Sequence, residues 1–144
     1  MKKLIAIVVT SLSLIACTSQ KIYSDYDYSF SRSGGKEPIY ENLLIKDNTV
    51  HYSLEGQGNK VKKSFKITTQ EIEKINSVLK ENRFRHILED HKKLYDNVAV
   101  SINVKKGDQN GSKTDASLIM PKDKKNWDSI VGIFQEIIDK NVKK

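Results

Sequence analysis

The chain has 144 residues, 25 Lys and Arg against 18 Asp and Glu, a formal net charge of +7 and one cysteine. That length holds one hydrophobic core and excludes a second domain of ordinary size, and a single thiol excludes an internal disulfide framework. The positive charge is almost all lysine, since the only arginines are Arg32, Arg83 and Arg85.

Lys2 and Lys3 form a short basic start, and the 13 residues from Leu4 to Ala16 carry no charge. A membrane-spanning helix needs about 20 apolar residues, so this run has the length and flanks of a signal peptide's apolar region instead. It ends in Leu14-Ile15-Ala16-Cys17: an aliphatic residue, a tolerant position, a small residue, then cysteine. That ending resembles the lipobox of bacterial lipoprotein precursors. The resemblance implies that residues 1–16 are removed as an export signal and that Cys17, carrying diacylglycerol on its thiol, becomes the first mature residue. It covers the first 17 residues only and leaves the domain unassigned. It also gives a use to a lone thiol that would otherwise be odd in an oxidising compartment.

Removing 16 of 144 residues leaves 128, and losing Lys2 and Lys3 lowers the net charge from +7 to +5. Residues 17–24 then form the lipidated cysteine and a short tether. Thr18-Ser19-Gln20-Lys21 keeps the domain within about 15–20 Å of the lipid. An envelope address argues against nucleic acid as a partner, and favours anionic headgroups, an anionic wall polymer or an envelope protein. Thr18 stands where an aspartate would resemble an inner-membrane retention signal. The resemblance therefore implies the outer membrane where the organism has one, and otherwise the cell membrane.

A single domain is expected over residues 25–144. Alternation from residue 25 places Tyr26, Tyr28, Phe30 and Arg32 on one side of a half-buried strand, with Asp25, Asp27, Ser29 and Ser31 facing outward. Ser33-Gly34-Gly35-Lys36 breaks it. Leu43–Lys46 and Val50–Leu54 flank Asp47-Asn48-Thr49, a hairpin turn by composition. Gly56-Gln57-Gly58-Asn59 turns the chain again before Val61, Phe65 and Ile67. Thr68 with Glu71 is a capping box, and Ile72, Ile75, Val78 and Leu79 continue as a helix to about Arg83–Ile87. Val98, Val100, Ile102 and Val104 alternate. After a turn-rich Lys106–Lys113, Ala116, Leu118 and Met120 predict the partner strand. Pro121 and Asp123 precede a helix with Trp127, Ile130, Val131, Phe134, Ile137 and Ile138 on one face. The order ββββ-α-ββ-α predicts an α+β domain, an antiparallel sheet of about six strands with two helices on one face.

Chemistry is sparse. His86 and Asp90 lie four apart, near enough on a helix to share a ligand, and His91 and Asp96 follow. These are weak metal candidates beside the three or four converging ligands that zinc needs. His51 falls opposite Val50, Tyr52 and Leu54 and should face solvent. Ser33-Gly34-Gly35-Lys36 lacks the spacing of a phosphate loop, and Asp108-Gln109-Asn110-Gly111 lacks most ligands of a calcium loop. No serine sits in a nucleophile elbow, and nothing around Asp25, Asp27 or Glu73 would raise a carboxyl pKa. Among the aromatics Tyr23, beside the tether, is the one expected to be exposed for partner binding. Lys60, Lys62, Lys63 and Lys66 come nearest to a basic stripe. The expectation is a membrane-anchored, non-enzymatic envelope lipoprotein, without cofactor, binding a protein or polymer. An inhibitor or immunity-type protein and a metal-dependent hydrolase using His86, Asp90 and His91 are the alternatives.

Overall fold

The computed structural model describes residues 24–92 and 94–142. The signal segment 1–16, Cys17, Tyr23 and the rest of the tether up to residue 23 lie outside the described residues. Strands Tyr28–Gly34 (β1), Ile39–Lys46 (β2), Thr49–Gly56 (β3) and Asn59–Lys66 (β4) form a meander. Helix Thr69–Glu81 (α1) follows, then a hairpin of Val98–Val104 (β5) and Gly111–Thr114 (β6), then helix Lys124–Asn141 (α2). The strands pair antiparallel in one open sheet of order β4-β3-β2-β1-β5-β6. The α+β class and the element order are those the sequence predicts.

Tight turns set the register. Asp47 takes a φ of 49° between β2 and β3, while Gln57 and Gly58 take 51° and 76° between β3 and β4. In the β3–β4 loop both central residues have positive φ, which matches the right-handed twist of its strands. Gly56 is fixed by contact as well: a Cβ at its φ of +121° would stand 2.2 Å from the Pro38 carbonyl oxygen. No side chain fits there.

Alternation then sorts side chains between two faces. Phe30 lies opposite Leu43 and Ile102, and Leu43 opposite Tyr52, all buried on the inner face. The Tyr28 phenol donates to Asn76 Oδ1 of α1 at 2.7 Å. The Phe30 ring stacks on Phe134 of α2, centroids 5.6 Å apart. Tyr28 and Phe30 are two residues apart on one strand, so both helices cover this same face. Helix α2 buries Trp127, Ile130, Ile133, Phe134, Ile137 and Ile138. Burying each large side chain contributes about 1.5–3 kcal/mol.

The capping box closes as expected. The Thr68 amide donates to Glu71 Oε2 at 2.7 Å, and the Glu71 amide donates to Thr68 Oγ1 at 3.1 Å. Lys140 of α2 reaches the other carboxylate oxygen at 2.6 Å. Lys140 first, then the Thr68 amide, hold the Glu71 carboxyl below its ordinary range. One side chain therefore caps α1 and ties it to α2.

Four expectations are corrected. The first strand begins at Tyr28, and Asp27 is 7% exposed where an outward position was expected. Its carboxylate turns into the fold, accepting from the Asp47 amide at 2.9 Å and Lys46 at 3.2 Å. Helix α1 stops at Glu81, short of Arg83–Ile87, because Arg83 adopts a φ of 52°. The Asn82 side-chain amide donates to the Val78 carbonyl at 2.8 Å, closing the last turn.

The partner of β5 is Gly111–Thr114, inside the stretch read as a turn, and Ala116, Leu118 and Met120 lie outside any strand. Asp115 ends the ladder by accepting from the Val100 amide at 2.6 Å and from the Trp127 indole at 3.0 Å. Beyond it the facing inverts: Ile119 is buried and Leu118 exposed. On α2, Ile133 is buried and Val131 only partly so.

Candidate functional site

The same alternation that fills the core builds a second surface from short polar side chains. On the face away from the helices, Ser31 lies opposite Asn42 and Ser101, and Ser101 opposite Thr114. His51 lies opposite Leu44 and Ser64, and Ser53 opposite Asn42 and Lys62. Neither helix covers these positions. The His51 Nδ1 stands 2.9 Å from Ser64 Oγ, and the Ser101 hydroxyl donates to Thr114 at 2.9 Å.

Two clefts of about 200 Å³ each adjoin on the β2–β4 part of this face, sharing Asn42, Ser53 and Lys62. One adds Leu44, His51 and Ser64; the other adds Tyr40 and Lys60. Tyr40 is 57% exposed. Convergent hydrogen-bonding groups around a modest apolar spot are the usual makings of a recognition surface. Lys46, Lys74 and Lys140 bond to carboxylates elsewhere. Lys60, Lys62 and Lys66, on the open side of edge strand β4, carry no ion pair among the described residues. A lysine row also keeps such an edge from pairing with another sheet.

The two buried carboxylates among the described residues are committed to structure. Glu41 is 4% exposed, and it accepts from Arg32 at 3.0 Å and from the Tyr52 phenol at 2.8 Å. Burial, then the neighbouring Glu41, push the Tyr52 phenol well up, so it stays a donor. Both Glu41 carboxylate oxygens are therefore occupied. For Asp27, burial opposes ionisation, but the Asp47 amide, Lys46 and Lys106 outweigh it and hold the carboxyl below its ordinary value. Lys105 lies over the Tyr26 ring, 3.9 Å from its centroid.

The histidines meet a different fate from the one their spacing suggests. His86 sits in a 3-10 turn, Phe84–His86, and the helix that would place Asp90 one turn below it has already ended. Asp90 pairs with Lys92 at 3.2 Å, and its amide donates to the Leu118 carbonyl. His91 is exposed at a φ of 58°. The shared-ligand geometry expected for His86, Asp90 and His91 is therefore not formed. Among the described residues no group of three or more His, Cys, Asp or Glu is arranged to hold a metal ion. His51, by contrast, lines a cleft.

In the sequence the lysine row stands out, whereas Asn42, Ser53 and Ser64 do not. Their only signal is a polar residue at alternate strand positions, and strand order is needed to bring them together. Among the described residues no helix is long and apolar enough to cross a membrane. In comparisons with known proteins, no family model matches the chain and no curated protein is similar to it.

Proposed function

We propose that the protein is a lipid-anchored, non-enzymatic domain of the bacterial cell envelope that binds a protein or anionic polymer through its open sheet face. The observation that carries the binding half is the helix-free face itself, with its two adjoining clefts and lysines that carry no ion pair among the described residues. Short serines, Asn42 and His51 offer donors and acceptors at small entropic cost, because few rotatable bonds are frozen on contact. The two buried carboxylates among the described residues, Glu41 and Asp27, are both saturated by hydrogen bonds, which favours recognition over catalysis. The anchoring half rests on Leu14-Ile15-Ala16-Cys17 and the basic, apolar segment before it.

Mass spectrometry of the N-terminus tests the anchor. A mature chain beginning at acylated Cys17 is expected, and Cys17→Ser should leave an unprocessed precursor. An intact Met1 with a free Cys17 thiol in the wild type would contradict it. For the binding half, Asn42→Asp with Ser53→Asp puts two negative charges into the clefts. It should weaken co-sedimentation with isolated envelope fragments without changing the fold, and an unaltered co-sedimentation would remove this face from the account.

A further inference from the structure

A third cleft, away from the sheet face, has a different character. It measures about 370 Å³ and lies between the turn after α1 and the 3-10 turn Pro121–Asp123 that leads into α2. Arg83, Arg85, His86 and Lys122 line it, with Asn126 and Asp123. Two of the chain's three arginines thus face one hollow, while the third, Arg32, is spent on Glu41. We propose that this cleft binds a phosphate ester.

Charge and geometry carry the assignment. Arg83 and Arg85 make no ion pair among the described residues, and the single carboxylate in the lining is already engaged, Asp123 Oδ2 accepting from the Leu88 amide at 3.0 Å. The hollow therefore holds an uncompensated excess of donors and positive charge. Guanidinium groups present flat forks that match two oxygens of a phosphate, and an ammonium adds a point charge. Asn126 and the His86 ring supply further polar contacts, and buried Ile87 closes the floor. A carboxylate ligand would leave part of this donor set unused.

The location adds a source for the ligand. Arg85 donates to the Asp108 carbonyl at 3.3 Å, in the loop between β5 and β6. Lys105, in the same loop, donates to the Ser24 carbonyl at 2.7 Å, where the chain enters the domain. The cleft thus lies toward the end at which a lipid tether would attach. A phosphodiester headgroup and a free phosphate monoester share the required chemistry.

The test titrates the full chain, held in neutral-detergent micelles, with glycerol 3-phosphate in solution. A separate titration dopes phosphatidylglycerol into the micelles, and the His86 ring resonances are followed in both. A saturable shift with either probe is expected, the soluble one identifying a free phosphate ester and the doped one a headgroup. Arg83→Gln with Arg85→Gln should weaken binding by about tenfold or more while circular dichroism stays unchanged. Lys36→Gln with Lys74→Gln removes the same charge outside both sites and should leave affinity within about twofold. Arg85→Lys keeps the charge, loses the fork, and should fall between. If the double arginine variant does not fold, Lys122→Gln with Asn126→Asp must produce the loss instead. No saturable shift with either probe, an equal shift from oleate-doped micelles, or equal losses in the two double variants overturns the proposal.

Discussion

Phe30 and Ser31 are neighbours on one strand. Phe30 is fully buried against the Phe134 ring, whereas Ser31 stands on the helix-free side beside Asn42 and Ser101. Strands β1, β3 and β5 repeat this division, whereas β2 adds Leu44 and Tyr40 to the outer face and β4 and β6 put Lys63 and Lys113 on the inner one. The inner face carries phenylalanine, tyrosine and branched aliphatics that meet two helices, and the outer face carries serine, asparagine and threonine that meet none. Large apolar area is what holds the helices down, so the inner positions have little freedom to vary. The outer positions contribute little packing, and their polarity keeps a bare sheet face from associating through apolar contact. Stability and recognition are thereby assigned to opposite sides of the same backbone.

That division predicts a graded series of effects. The largest belongs to Phe134→Ala, which leaves a cavity against Phe30 and should cost about 3–5 kcal/mol by urea denaturation. A change too small to measure would make α2 peripheral to the core. Next is Tyr52→Phe, which leaves the buried Glu41 carboxylate short of a donor. It should cost about 1.5–3 kcal/mol, because that hydrogen bond goes to a charged acceptor.

A smaller, pH-dependent effect belongs to Glu71→Gln, which weakens a cap and a partly exposed contact with Lys140. Its cost at neutral pH should be about 1 kcal/mol. The Glu71 carboxyl sits below its ordinary value of 4.5 in the folded chain. Its ionised form therefore stabilises the fold above that value, and the contribution is lost as pH falls through the lower folded value. Wild type and Glu71→Gln should accordingly converge in stability on acidification. A difference that persists in strong acid would show that the charge is not what matters. Asp27, also held below its ordinary 3.8, should lose its share over a similar acid range.

The smallest effect belongs to His86→Ala with His91→Ala, both exposed, which should stay within about 0.5 kcal/mol of wild type. Near one zinc per chain, lost in this double variant, would revive the hydrolase alternative.

How much of this was legible in the sequence depended on the range of the interaction. Thr68 and Glu71 announce their own helix start, and the spacing of Trp127, Phe134 and Ile138 announces a buried stripe, since both patterns are local. Asp27 and Asp115 read as ordinary polar residues because their partners, Lys46 with Asp47 and Val100 with Trp127, come from other elements. Ala116, Leu118 and Met120 alternate convincingly, yet Asp115 has already ended the ladder. The end of α1 turned on one backbone conformation at Arg83, and that conformation dissolved the His86–Asp90 pairing. The same conformation gathers Arg83, Arg85 and His86 opposite Lys122, a grouping no spacing rule would find. The open face was half visible: alternation marks its residues as outward, but only the β4-β3-β2-β1 order makes Lys62, Ser53 and Asn42 neighbours.

The claim that the two faces have separate duties is tested most directly by photo-crosslinking in intact cells, from a benzoyl-phenylalanine placed at Ser53 or at Ser77. Ser53 lies on the open face and Ser77 on the exposed side of α1. The account predicts a discrete or polymer-sized adduct from Ser53 and none above background from Ser77. Adducts arising equally from both positions, or from Ser77 alone, would contradict it.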